Sequence, residues 1–143
     1  MDDEAAIRAL IGAYAELLDA GDFDGVAALF EHAEVRTAWA KAARVGAAAV
    51  RQMYDPVVVY DDGTPRTKHI LANIIVDVDH GATTATAQCT FTVMQAVAGG
   101  PLRAVLAGRY LDRFVRDPDA GWRFAARTIH PDLVGDLARH MAR

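Results

Sequence analysis

The hydrophobic period of this chain changes once, near Pro65, and no other feature restricts its fold as strongly. Before that point apolar residues recur with helical spacing; beyond it they alternate. Ile7, Leu10, Ile11, Tyr14, Leu17 and Leu18 form a single stripe on an opening helix. Asp2, Asp3 and Glu4 suit the positive end of that helix, and Gly21 ends it. Asp22 is placed to cap a short second helix carrying Phe23, Val26, Leu29 and Phe30. Glu34 to Trp39 reads as a short strand, and Gly46 to Tyr54 as a third helix stopped by Pro56.

The alternating half divides into four long strand segments, Lys68 to Asp79, Thr84 to Val97, Leu102 to Arg116 and Trp122 to His130. Turn residues separate them: His80-Gly81, Gly99-Gly100-Pro101, and the run from Asp117 to Gly121. Connections this short force neighbouring strands to run antiparallel. Strands this long twist and coil, so the sheet is expected to curve into a half-open cone. The apolar helix stripe needs a surface to cover, and the concave face supplies it. The expected fold is therefore α+β, one domain over residues 1–143, with a small-molecule pocket between helices and sheet.

With 143 residues, 52% of them hydrophobic, the chain can bury a substantial core. Its formal net charge of −4 argues against nucleic acid as a partner, and no basic stripe stands out. The C-terminal arginines are interleaved with aspartates, which reads as a solvated sheet face with cross-strand ion pairs. Cys89 is alone and lies within a strand segment, so it is expected to act as a small buried hydrophobe. The opening MDDEAAIRAL lacks the basic and apolar regions of a signal peptide, and no apolar run has membrane-spanning length. A cytoplasmic location without membrane partners is the expectation.

On the first long strand His69, Leu71, Asn73 and Ile75 share one face; Ile70, Ala72, Ile74, Val76 and Val78 share the other. Both faces are apolar enough to be covered, so a homodimer or higher oligomer through the sheet is expected. An imidazole on a strand inside a dry pocket is suited to general acid or base work, because its ordinary pKa lies near 6.5. On period alone, a core histidine satisfied by hydrogen bonds, or one on the rim, is the plainer account of His69. Tyr14 sits mid-stripe, where a core aromatic with one hydroxyl partner is the plain alternative. Asp19 occupies the last helical turn, against the helix dipole, and points well away from Tyr14 on an ideal helix. On spacing alone it fits a solvated loop residue beside Gly21. Trp39 and Tyr54 are further pocket candidates, as is Asn73 beside His69. His130 is read at a rim and His140 in the tail. Metal-ligand spacings, phosphate loops and nucleophile elbows are lacking, so no metal, nucleotide cofactor or acyl-enzyme is expected.

The sequence resembles the SnoaL-like branch of the nuclear transport factor two-like superfamily. The resemblance covers essentially the whole chain. It rests on YAELLD from Tyr14 to Asp19, DFDGVAALF from Asp22 to Phe30, TKHILAN from Thr67 to Asn73, GRYLDRFV from Gly108 to Val115, and GWRFAAR from Gly121 to Arg127. It implies a cystatin-like cone: a strongly curved antiparallel sheet closed by three N-terminal helices. Dehydratase-like members use a Tyr and an Asp from the first helix and its end, with a His from the strand after the third helix. Those roles fall here on Tyr14, Asp19 and His69; Trp39, Tyr54 and Asn73 are the substrate contacts expected from the residue reading above. The epoxide hydrolase members carry an Arg two residues before a late-strand Asp; position 110 is Tyr, a departure from that pattern. Asp112 is the nearest substitute for the late-strand acid of the cyclases. The resemblance implies a cofactor-independent lyase or isomerase for a hydrophobic, cyclic small molecule. Its alternative is a non-catalytic subunit resembling the small β-subunit of ring-hydroxylating dioxygenases.

Overall fold

A computed structural model describes residues 2–142. The chain runs through α1 (Asp3–Asp19), α2 (Phe23–Ala28), β1 (Glu34–Thr37), β2 (Arg44–Val45), α3 (Ala47–Gln52), β3 (Thr67–Val78), β4 (Thr84–Gln95), β5 (Arg103–Asp117) and β6 (Gly121–Val134). Six strands make one curved, unclosed sheet in the order β2-β1-β6-β5-β4-β3. Together with the three helices this is the α+β cone expected. No helix among the described residues is long and apolar enough to cross a membrane.

Local chemistry places the helices. Asp2 caps α1 by accepting from the Ala5 N–H at 2.7 Å, and Asp22 caps α2 through the Gly25 N–H at 2.8 Å. Gly21 has a φ of 76°, and a side chain there would strike the carbonyl of Gly63, so glycine makes both the turn and the close approach. Ile7, Ile11, Tyr14 and Leu18 are buried against the sheet. The N-terminal end of α1 is tied to β6 by the Trp122 indole N–H donating to Asp3 at 2.9 Å.

The meander β3–β4–β5–β6 is antiparallel throughout. Its concave face packs large residues opposite small ones: Phe114 faces Ala85, Tyr110 faces Cys89, and Phe91 faces Gly108. This pairing lets the rings pack beside small neighbours on the adjoining strand. Cys89 is buried there, and burial above all pushes its thiol up to about 11, so it behaves as the inert core residue expected.

Four features depart from the sequence reading. β1 runs parallel to β6, and β2 was not foreseen; only the remaining pairings are antiparallel. β6 continues through Pro131 to Val134 rather than ending at His130. β1 pairs with β6 only as far as Ile129, so beyond that point Pro131 sits on an open edge where its missing N–H costs no ladder bond. Asn73 is not on the His69 face. A bulge between Ala72 and Ile75, with Asn73 at a φ of 54°, turns the strand over by one residue. Leu71, Ile74, Val76 and Val78 then pack on the core, while Asn73 and Ile75 face outward. Asparagine tolerates this left-handed conformation better than its β-branched neighbours do. The fourth departure is an ion pair. Asp112 and Arg127, opposite each other on β5 and β6, are fully buried inside the cone rather than solvated.

Candidate functional site

Between α1, α3 and the open end of the cone lies a cavity of ≈ 220 Å³. Leu18, Met53, Phe91, Val93, Leu106 and Ile129 supply apolar wall. Its polar groups are few: the phenols of Tyr14, Tyr54 and Tyr110, the imidazoles of His69 and His140, and Thr37 at the β1 side. Trp39 lies at the rim, 61% exposed, and also lines the space. An apolar hollow with a handful of convergent polar groups is the ordinary form of a small-molecule site.

His69 is placed by the second alternation of β3, where its side chain is only 4% exposed. Asp19, the last residue of α1, lies directly against the start of β3. Its carboxylate takes three hydrogen bonds: from the His69 ring at Nδ1 (2.6 Å), from the His69 backbone N–H (2.8 Å) and from the Thr67 hydroxyl (2.9 Å). Burial works to raise the Asp19 pKa, but the hydrogen bonds and charge of His69, with the Thr67 hydroxyl, outweigh it and hold the carboxyl below the usual range. In the neutral ring, an ionised acceptor at Nδ1 fixes the Nδ1–H tautomer and leaves the Nε2 lone pair for the cavity. Asp19 itself does not line the cavity. Tyr14 and Asp19 therefore diverge on α1, and His69 bonds to Asp19 while lining the same cavity as Tyr14.

The hydroxyls of Tyr14 and Tyr54 are 2.7 Å apart. One donates to the other, so the couple has one O–H left to offer. Burial is the chief cause that raises both phenols above their ordinary value, and both stay protonated at neutral pH. Behind them the Arg127 guanidinium stacks 4.3 Å from the Tyr14 ring and 3.8 Å from the Tyr110 ring. Asp112 holds it by two hydrogen bonds of 2.7 and 2.9 Å. This group was missed as part of the site's support; the only sequence signal was the facing of Asp112 and Arg127 once the register is known.

The structure thus brings Tyr14, Tyr54, His69 and Trp39 to one cavity and sets Asp19 behind His69. Asn73 is the exception: the bulge carries it to the outer face, beside Arg109 and Leu111 and away from the cavity. His140 is the residue not foreseen. It is 6% exposed and lines the cavity instead of trailing in solvent. Among the described residues no group of three His, Cys, Asp or Glu side chains is arranged to hold a metal ion.

A profile described as a SnoaL-like domain matches residues 1–128. Among solved structures the chain is similar to an NTF2-like protein with a cystatin-like fold from Novosphingobium aromaticivorans. The two are 28% identical, with a TM-score of 0.74 over 96% of this chain and 86% of that one. A candidate scytalone dehydratase from the same organism is 23% identical, with a TM-score of 0.73 over 98% and 91% of the two chains. A protein from Catenulispora acidiphila, solved in complex with S-DNPA, is 20% identical, with a TM-score of 0.71 over 90% and 92%. The last two likenesses are of fold. No curated protein matches the sequence.

Proposed function

The chain belongs to the SnoaL-like domain family, and on that premise we propose that it is a cofactor-independent lyase or isomerase acting on a small, hydrophobic, cyclic carbonyl compound. The observation that carries this reading is the ionised Asp19 bound to Nδ1 of His69 at 2.6 Å, with the same imidazole lining the cavity. A base must hold its lone pair toward the substrate and be stabilised once protonated; this pair supplies both. The Nε2 of His69 takes the proton from the carbon beside the carbonyl, and the electron pair moves to the carbonyl oxygen. Asp19 stabilises the imidazolium so formed. The spare O–H of the Tyr14–Tyr54 couple donates to the enolate oxygen, in a largely apolar cavity that strengthens that bond. Where the substrate bears a β-hydroxyl, its C–O bond then breaks and the proton from Nε2 leaves with it as water. Where it does not, the proton returns to another carbon and the product is an isomer.

A neighbour of this fold solved with the small molecule S-DNPA, and another described as a candidate scytalone dehydratase, support a small-molecule ligand for this fold. The lone buried thiol fits a reducing cytoplasm. Ile75, Gln88 and Leu111 stand side by side across β3, β4 and β5 on the outer face, and both apolar residues are exposed. This supports a second copy of the chain as the partner that covers the sheet.

The reading is tested with small cyclic ketones in deuterated water. Wild-type protein should exchange the hydrogens beside the carbonyl, and His69→Ala should not. Exchange that persists in the variant refutes the role of His69.

A further inference from the structure

The C-terminal segment does not trail from the sheet; it is bonded to residues 56–58, and His140 and Met141 line the cavity. Met141 forms a β-bridge with Val57, the Val58 N–H donates to the His140 carbonyl at 2.9 Å, and the Ala142 N–H to that of Pro56 at 2.7 Å. The Arg139 carbonyl accepts from the buried Gln95 amide at 3.1 Å and from the Tyr60 hydroxyl. Held in this way, His140 is nine-tenths buried with its ring against the cavity that His69 also lines.

The Nδ1 of His140 is closed off from solvent and has no hydrogen-bond partner among the described residues. A proton on that nitrogen would be a buried donor with nothing to accept it, an arrangement proteins avoid. The proton therefore belongs on Nε2. The two imidazoles then have opposite roles: His69 presents a lone pair and His140 presents an N–H. A carbonyl compound with its acidic carbon toward His69 matches that pair, because its oxygen needs a donor as charge develops on it.

We propose that His140 is a second ligand-contacting residue of this site, donating from Nε2 to the carbonyl oxygen of a neutral carbonyl compound, in concert with the Tyr14–Tyr54 couple. The inference rests on the cavity being the ligand site, as proposed above. The groups facing His140 agree with a neutral donor. Burial first, and the neighbouring His69 second, push its pKa down to about 4, against the pull of Asp19. The cavity phenols Tyr14, Tyr54 and Tyr110 are uncharged at neutral pH. A neutral imidazole does not exchange its proton readily, so its part is to polarise the oxygen while His69 moves the proton.

Two measurements separate this inference from the reading beneath it. Nitrogen-15 spectra of histidine-labelled protein, with the His140 signals assigned by their loss in His140→Gln, should show a neutral Nε2–H ring at about pH 6. A charged ring, or a proton on Nδ1, overturns the proposal. The second measurement titrates the protein with 1-tetralone and with tetralin, which lacks the carbonyl oxygen. Wild-type protein should prefer the ketone. In His140→Leu that preference should fall about two- to tenfold, the worth of one hydrogen bond, and His140→Gln should recover much of it by restoring an N–H near the same point. An unchanged preference in His140→Leu, or no recovery in His140→Gln, removes His140 from the site while leaving the cavity reading intact. If neither compound shifts any cavity resonance of the wild-type protein, both readings fall together.

Discussion

Asp19 and His69 lie 50 residues apart in the chain, yet Asp19 accepts from both the backbone N–H and the ring Nδ1 of His69, at 2.8 and 2.6 Å. One carboxylate thus joins the end of α1 to the first long strand and orients the imidazole above it. The contact is structural and chemical at once, so its loss should show in both kinds of measurement.

Asp19→Asn should lower stability at pH 7 by about 1.5–3 kcal/mol, because the hydrogen bonds lost are to a charged group. The sign of the pH dependence follows from the depressed carboxyl. Its contribution is full above the ordinary value of 3.8 and is lost as pH falls through the lower folded value. Urea denaturation of wild type and variant at fixed protein concentration should therefore give curves that converge on acidification below that value. A constant difference across the range would contradict the assignment.

Tyr14→Phe and Tyr54→Phe remove the two ends of one 2.7 Å hydrogen bond. A double-mutant cycle should return a coupling of about 0.5–1.5 kcal/mol in stability. On a ketone substrate each single variant should lower kcat more than it raises KM, since the spare O–H acts on the developing enolate. Additive stability changes would mean that the two hydroxyls do not share a proton.

Arg127→Met should be among the most damaging single changes, costing about 3–5 kcal/mol because Asp112 is left as an unpaired buried carboxylate. Arg127→Met combined with Asp112→Leu should regain most of that loss, since replacing both partners leaves no orphan charge. Chemical denaturation reads both variants directly. A double variant as unstable as the single one would show that the stacking of Arg127 on Tyr14 and Tyr110 outweighs its pairing.

Ile75→Arg places a charge in the middle of the exposed outer face, 57% accessible in the wild type, with no effect expected on the cavity. Light scattering at micromolar concentration should give a dimer or higher species for wild type and a monomer for the variant. A wild-type monomer would end the case for association through the sheet.

The sequence alone determined the class of fold. Helical and alternating periods are local properties, written in residues that are neighbours in the chain. Tyr14 facing the core, the cap at Asp22, and the long meander strands were all legible for that reason. The combined roles of Tyr14, Asp19 and His69 were legible only through the family resemblance, because spacing made Asp19 look solvated.

Only the tertiary structure decided which side chains meet. Period-two reasoning put Asn73 beside His69, but one bulged residue inverts every side chain beyond it, and nothing in the alternation marks where a bulge falls. Asp112 and Arg127 read as surface charges until the register of β5 on β6 placed them opposite each other inside the cone. His140 looked like tail because its position depends on backbone bonds to residues 56–58, more than 80 positions earlier. Convergence of distant residues is a property of register and packing, and those are settled by the whole fold rather than by any stretch of chain.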